Sequence, residues 1–146
     1  MDLFSNRNTD WMNYPFAKLS YIVLLAIVFF VLHTSQLFNM ADTWTVLNML
    51  HGVITFVIFH WIKGNPDFST QGEYAADTLY EQIDAETAWT WNKKFLMLVP
   101  TVLTYIACQV ADYQAIYVIM NCGIFFILII AKIPQMHHVR LFGINS

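Results

Sequence analysis

Five histidines (His33, His51, His60, His137 and His138), ten Asp and Glu and two Cys are the reactive side chains from which any chemistry of this chain would be built. Their spacing supports little. No His-Glu-x-x-His zinc pair, Gly-x-Ser-x-Gly elbow, Gly-rich phosphate loop or His-x4-Asp acyltransferase pattern occurs. The histidines are too few and wrongly spaced for a histidine-box di-iron centre. Cys108 and Cys122 sit in apolar runs, outside any Cys-x-x-Cys pattern, so neither a disulfide framework nor a thiolate metal site is expected. One pair does suggest a site. His33 stands eight residues before Ala41 and His51 eight after Thr43. On adjacent helices both would lie about 12 Å below the same face, where two imidazoles could clamp a haem. The alternative is that each hydrogen-bonds a neighbour within a helix bundle. Asn48, Gln109 and Asn121 read as interhelical hydrogen-bonding groups, and Met12, Met40, Met49, Met97, Met120 and Met136 as fillers of apolar gaps.

The elements that must position these residues follow from where charge is missing. Hydrophobic residues make up 58 % of the 146 and charged residues 12 %, too little charge to coat a water-facing surface. A net charge of −3 without a basic cluster argues against a nucleic-acid partner. The charges divide the chain into four long apolar stretches, each near the roughly 20 residues that cross a bilayer core. The expected architecture is an all-α membrane protein of four transmembrane helices in two hairpins, with spans at about 19–41, 43–62, 94–111 and 114–132. The first stretch is too long for the apolar region of a secretory signal and no small-residue cleavage site follows it.

The first two spans are expected to turn near Asp42 and the last two at 111–114. The arm 1–18, the loop 63–93 and the tail 133–146 then share the opposite side. All seven Lys and Arg fall on that side, so by the positive-inside rule both termini and the long loop are expected in the cytosol. Trp44, Trp61, Trp89, Trp91, Tyr21 and Tyr113 lie near span ends, where amphipathic rings favour the headgroup level. In the loop, Ala76, Leu79, Tyr80 and Ile83 follow the i, i+3, i+4, i+7 helical pattern with Asp77, Glu81 and Asp84 on the other face. This predicts a short amphipathic helix, set either on a partner surface or on its own bundle. Pro134 closes the fourth span because it cannot donate to the helical ladder.

No Asp or Glu lies within any of the expected spans, which argues against intramembrane aspartyl proteolysis and carboxylate proton relays. Pro100 is the sole interior breaker and no inverted repeat is visible, which weighs against transport. Three classes remain: an accessory or regulatory subunit of a membrane enzyme, a small haem or lipid-modifying protein using His33 and His51, and a small transporter.

Several segments carry more than composition. The arm Arg7-Asn8-Thr9-Asp10-Trp11-Met12-Asn13, then Trp44 and Thr45 with Asn48 and His51, and then His60-Trp61-Ile62-Lys63-Gly64-Asn65-Pro66 come first. Tyr80-Glu81-Gln82-Ile83-Asp84, Lys93-Lys94-Phe95-Leu96 and the run from Lys132 to Asn145 complete them. In this order they resemble the Orm/ORMDL family, the fourteen-residue terminal run most specifically. The resemblance implies an endoplasmic reticulum protein that is not an enzyme and that inhibits serine palmitoyltransferase when ceramide is plentiful. Its implied partners are the catalytic long-chain base subunits, the small activating subunit, ceramide and membrane lipid. No cofactor is implied for this chain, since the pyridoxal phosphate belongs to the partner enzyme. The family's ceramide contact in an Asn-Thr segment of the arm maps onto Asn8, with Trp11 and Ile58 beside the same lipid. Met1, Asp2 and Leu3 map onto the part that enters the partner's substrate tunnel. Read from the residues alone, Asn8 is instead an N-cap of the helix entering the membrane.

Overall fold

In the structure, a computed structural model, residues 6, 8–64, 72–84, 87, 89–140 and 142 are described. Four long helices, each sufficiently apolar to cross a membrane, form the body. Helix α1 spans Ala17–Thr34, α2 Met40–Phe56, α4 Trp91–Val110 and α5 Ala115–Lys132, while the one-turn α3 occupies Leu79–Gln82 in the long loop. A 3-10 turn at Asp10–Asn13 precedes α1, and a π-helical turn at Val57–Trp61 extends α2. Among the described residues the β-pairing is confined to an isolated antiparallel bridge between Lys63 and Thr78. The chain is an all-α membrane protein of two helical hairpins.

The helix ends follow local chemistry. The Asn39 side chain accepts from the Asp42 N–H at 2.9 Å and starts α2, and Thr90 accepts from the Lys93 N–H at 3.3 Å and starts α4. These caps shift two boundaries from their expected places. Helix α1 stops at Thr34 and the reversal occupies 35–39, so Asp42 lies in the first turn of α2. An acid there faces the positive end of the helix dipole and does not break the helix. The third span begins at Trp91. The second reversal uses Asp112 and Tyr113 in succession with φ of 48° and 54°, the left-handed region, which turns the chain tightly. Ile133 is extended ahead of Pro134, which ends α5 as expected.

Helix α2 is central, packing against α1, α4 and α5, while α4 and α5 also pack on each other. Gly52 permits the close approach of α2 and α5, because a Cβ there would fall on Cγ1 of Ile124. Leu47, Val99 and Leu103 form the apolar core between α2 and α4. Polar groups tie the interior: Asn48 Nδ2 donates to Thr104 Oγ1 at 3.1 Å and to Asn121 Oδ1 at 2.8 Å, and Asn121 Nδ2 donates to Thr45 Oγ1 at 2.9 Å. Asn48 and Asn121 therefore act between helices as expected. Gln109 does not: it accepts from the Tyr113 hydroxyl one turn away on an exposed face. Helix α1 has no buried residue, and its Leu19, Ile22, Val23, Leu24, Ile27 and Phe30 face outward as a lipid-facing surface would.

Candidate functional site

Arm, long loop and tail converge at the end of the bundle that carries the basic residues, around three buried polar side chains. The first is Gln82, fully buried in α3. Its Oε1 accepts from Asn6 Nδ2 at 3.2 Å and Asn8 Nδ2 at 2.9 Å, while its Nε2 donates to the carbonyls of Gly64 and Asp77, each at 3.0 Å. The Gln82 carbonyl accepts from Thr9 Oγ1 at 3.4 Å. One glutamine thus joins the arm to both ends of the loop segment. Gly64 adopts φ 65°, and its N–H donates to the Asp77 carbonyl at 2.9 Å, which presents both carbonyls to Gln82.

The second is Asn92 in the first turn of α4. Its Nδ2 donates to Asn13 Oδ1 at 2.8 Å and Asp84 Oδ1 at 2.9 Å, and its Oδ1 accepts from Lys18 Nζ at 2.6 Å. Below both sits an apolar cluster of Met12, Phe59, Tyr80, Ile83 and Leu96. Met12, 3 % exposed, plugs the arm into the bundle, and burying a side chain of this size stabilises by about 1.5–3 kcal/mol.

The third is Glu81, which closes a capping box with Thr78 and pins the tail. Arg140 donates to both carboxylate oxygens, at 2.7 and 2.8 Å, and the His138 N–H donates to Oε1 at 2.9 Å. Burial pushes the Glu81 carboxyl up, but the hydrogen bonds from Arg140, Thr78 and His138 outweigh it and hold the group at about 2. Burial alone raises the neighbouring Tyr80 phenol to about 12, so its O–H stays available to donate to the Lys132 carbonyl at 3.0 Å. The expected short loop helix is present as one turn, packed on its own bundle, one of the two settings the sequence allows, and its Glu81 is buried among partners. Gln82 carries no local signal in the sequence, because its arm partners lie 74 and 76 residues away.

Asn8 and Trp11 come together here: the Trp11 indole N–H donates to the Asn8 carbonyl at 3.1 Å and leaves its ring 43 % exposed. The capping role for Asn8 gives way, since Thr9 is the N-cap of the 3-10 turn and the Asn8 side chain reaches Gln82. Among the described residues no hydrogen bond occupies Asn8 Oδ1. Ile58 lies outside this cluster, 41 % exposed on the π-helical turn of α2. Met1, Asp2 and Leu3 lie outside the described residues.

The two histidines offered as a haem clamp have different surroundings. His51 Nε2 meets the Tyr21 hydroxyl at 2.7 Å, while His33 is exposed on α1 and stacked on Phe29 at 5.8 Å. Tyr21 and Trp44 both pack on the bundle, Trp44 against Phe29 at 4.6 Å.

The ORMDL family model matches residues 6–140. ORM1-like protein 2 of Homo sapiens is 36 % identical over 143 residues, covering 97 % of this chain and 93 % of the relative. ORM1-like protein 3 of Homo sapiens is 33 % identical over the same length and shares of both chains. An uncharacterized protein of Schizosaccharomyces pombe is 30 % identical over 142 residues, covering 97 % of this chain and 76 % of the relative.

Proposed function

This chain belongs to the ORMDL family, and we propose on that premise that it is a regulatory, inhibitory subunit of serine palmitoyltransferase that senses ceramide. In this reading it resides in the endoplasmic reticulum membrane with both termini in the cytosol, binds the catalytic long-chain base subunits and the small activating subunit, and performs no turnover itself. Pyridoxal phosphate stays with the partner enzyme.

The observation that carries the reading is the seating of the arm through Asn8. Its amide donates to Gln82 and, among the described residues, keeps Oδ1 as an acceptor, with the side chain half-buried beside the exposed Trp11 ring. Ceramide presents hydroxyls and an amide on an apolar body, which suits an amide acceptor flanked by an aromatic face. Each such hydrogen bond contributes on the order of 1 kcal/mol net, so a bound lipid can bias an arm held by a few of them. The family resemblance also assigns Ile58 to the same lipid and Met1, Asp2 and Leu3 to entry into the partner's substrate tunnel.

Deleting the protein from cells tests this directly. Labelled-serine incorporation into long-chain bases is expected to rise, with ceramide rising behind it. Unchanged long-chain base synthesis would overturn the proposal.

A further inference from the structure

A cavity of about 520 Å³ opens at the basic end between the last turns of α2 and α5 and the returning tail. That volume falls within the roughly 300–1,000 Å³ typical of small-molecule sites. Its walls are largely apolar and include Phe56 of α2 and, from α5, Ile127 and Ile130, both of which also reach the outer surface. Lys132, the last residue of α5 and 4 % exposed, is among its lining residues.

Lys132 Nζ is buried and has no hydrogen-bond partner among the described residues. The same holds for Nε2 of His60, which also lines the cavity. The acid at hand is already used: Glu81 receives two N–H groups from Arg140, one from the His138 backbone and two donors from Thr78. The α5 carbonyl end favours a cation modestly, whereas an unpaired buried ammonium carries a far larger desolvation cost. Such a group calls for an oxyanion. Lys132 ends a membrane-spanning helix, the depth at which lipid headgroups lie.

We propose that this cavity binds an acidic amphiphile. Its oxyanion head, a carboxylate or a phosphate monoester, is held by Lys132 and His60, and its acyl chain lies along Phe56, Ile127 and Ile130. Ceramide carries no charge, so the site is distinct in chemistry from the Asn8 arm and does not rest on the sensing role proposed above.

Equilibrium binding to the full-length protein in mild detergent tests the proposal, with labelled palmitate and labelled palmitoyl lysophosphatidate as probes. Unlabelled inorganic phosphate and monopalmitoylglycerol serve as competitors. Saturable binding of at least one acyl anion is expected, displaced by neither competitor. Lys132→Met should weaken it at least about tenfold, as loss of a charge-assisted hydrogen bond does, while Lys132→Arg retains it. Ile130→Trp, which leaves the cation in place and fills the chain-binding wall, should weaken it too. The bound anion should raise the melting temperature of the wild type and not of Lys132→Met, a readout that also establishes that the variant is folded. Displacement by phosphate alone would identify a free-anion site and overturn the amphiphile. Equal binding of monopalmitoylglycerol, undiminished binding in Lys132→Met, or no saturable binding would overturn the site.

Discussion

The side-chain amide of Asn8 donates to Oε1 of Gln82 at 2.9 Å across 74 residues of sequence. This contact fastens the N-terminal arm to the one-turn helix of the long loop, and the same Gln82 oxygen also receives Asn6. The arm is therefore seated on a buried residue whose other amide atom is committed to Gly64 and Asp77.

Gln82 is the point at which this arrangement is most easily broken. Gln82→Leu leaves the Asn6 and Asn8 amides and the Gly64 and Asp77 carbonyls short of partners, a loss of about 2–4 kcal/mol. Gln82→Glu keeps an acceptor for the arm but sets an oxygen against two carbonyls, and is expected to fare no better. Hydrogen exchange at the amides of Thr9, Asp10 and Met12 should accelerate in both variants while α4 and α5 stay protected. Unchanged protection of the arm would refute the hub role.

Glu81 makes attachment of the tail sensitive to acid. Its carboxyl is held at about 2, below the ordinary value of 4.5, by hydrogen bonds made to the ionised form. A depressed carboxyl contributes its stability fully above the unfolded value and loses it as pH falls through the folded one. Exchange at the His138 and Val139 amides should therefore be slow above about pH 4.5 and rise toward pH 2, after correction for intrinsic rates. Glu81→Gln should make that corrected exchange fast and flat across the whole range.

Gly52 limits the spacing of α2 and α5. Gly52→Ala places a methyl on Ile124 and is expected to cost about 1–3 kcal/mol through overpacking. Thermal unfolding in detergent should show the loss, and Ile124→Ala should recover part of it in the double variant. Two additive losses would mean that the pair is not in contact.

The four spans were legible because lipid-facing helices exclude charge, and seven bases and ten acids left long uncharged stretches between them. Their ends were less so. Asp42 was read as a turn, yet an acid is favoured in the first turn of a helix, and the actual reversal at 35–39 carries no charge. The loop helix had the right apolar residues, Tyr80 and Ile83, but periodicity cannot foresee that Arg140, 59 residues on, makes burial of Glu81 favourable. Asn8 entered through family resemblance. From local sequence it read as a cap, because its real partner is distant in the chain. In the sequence Lys132 marks a boundary, and only the folded tail makes it a buried residue lining a cavity.

Ceramide titration of reconstituted serine palmitoyltransferase containing this protein, with wild type and Asn8→Asp compared side by side, tests the central claim most directly. A carboxylate at position 8 cannot donate to Gln82 Oε1 and is costly to bury there. The account predicts that Asn8→Asp still co-purifies with the enzyme but loses ceramide-dependent inhibition, as Asn8→Ala does. A full ceramide response in Asn8→Asp would contradict it.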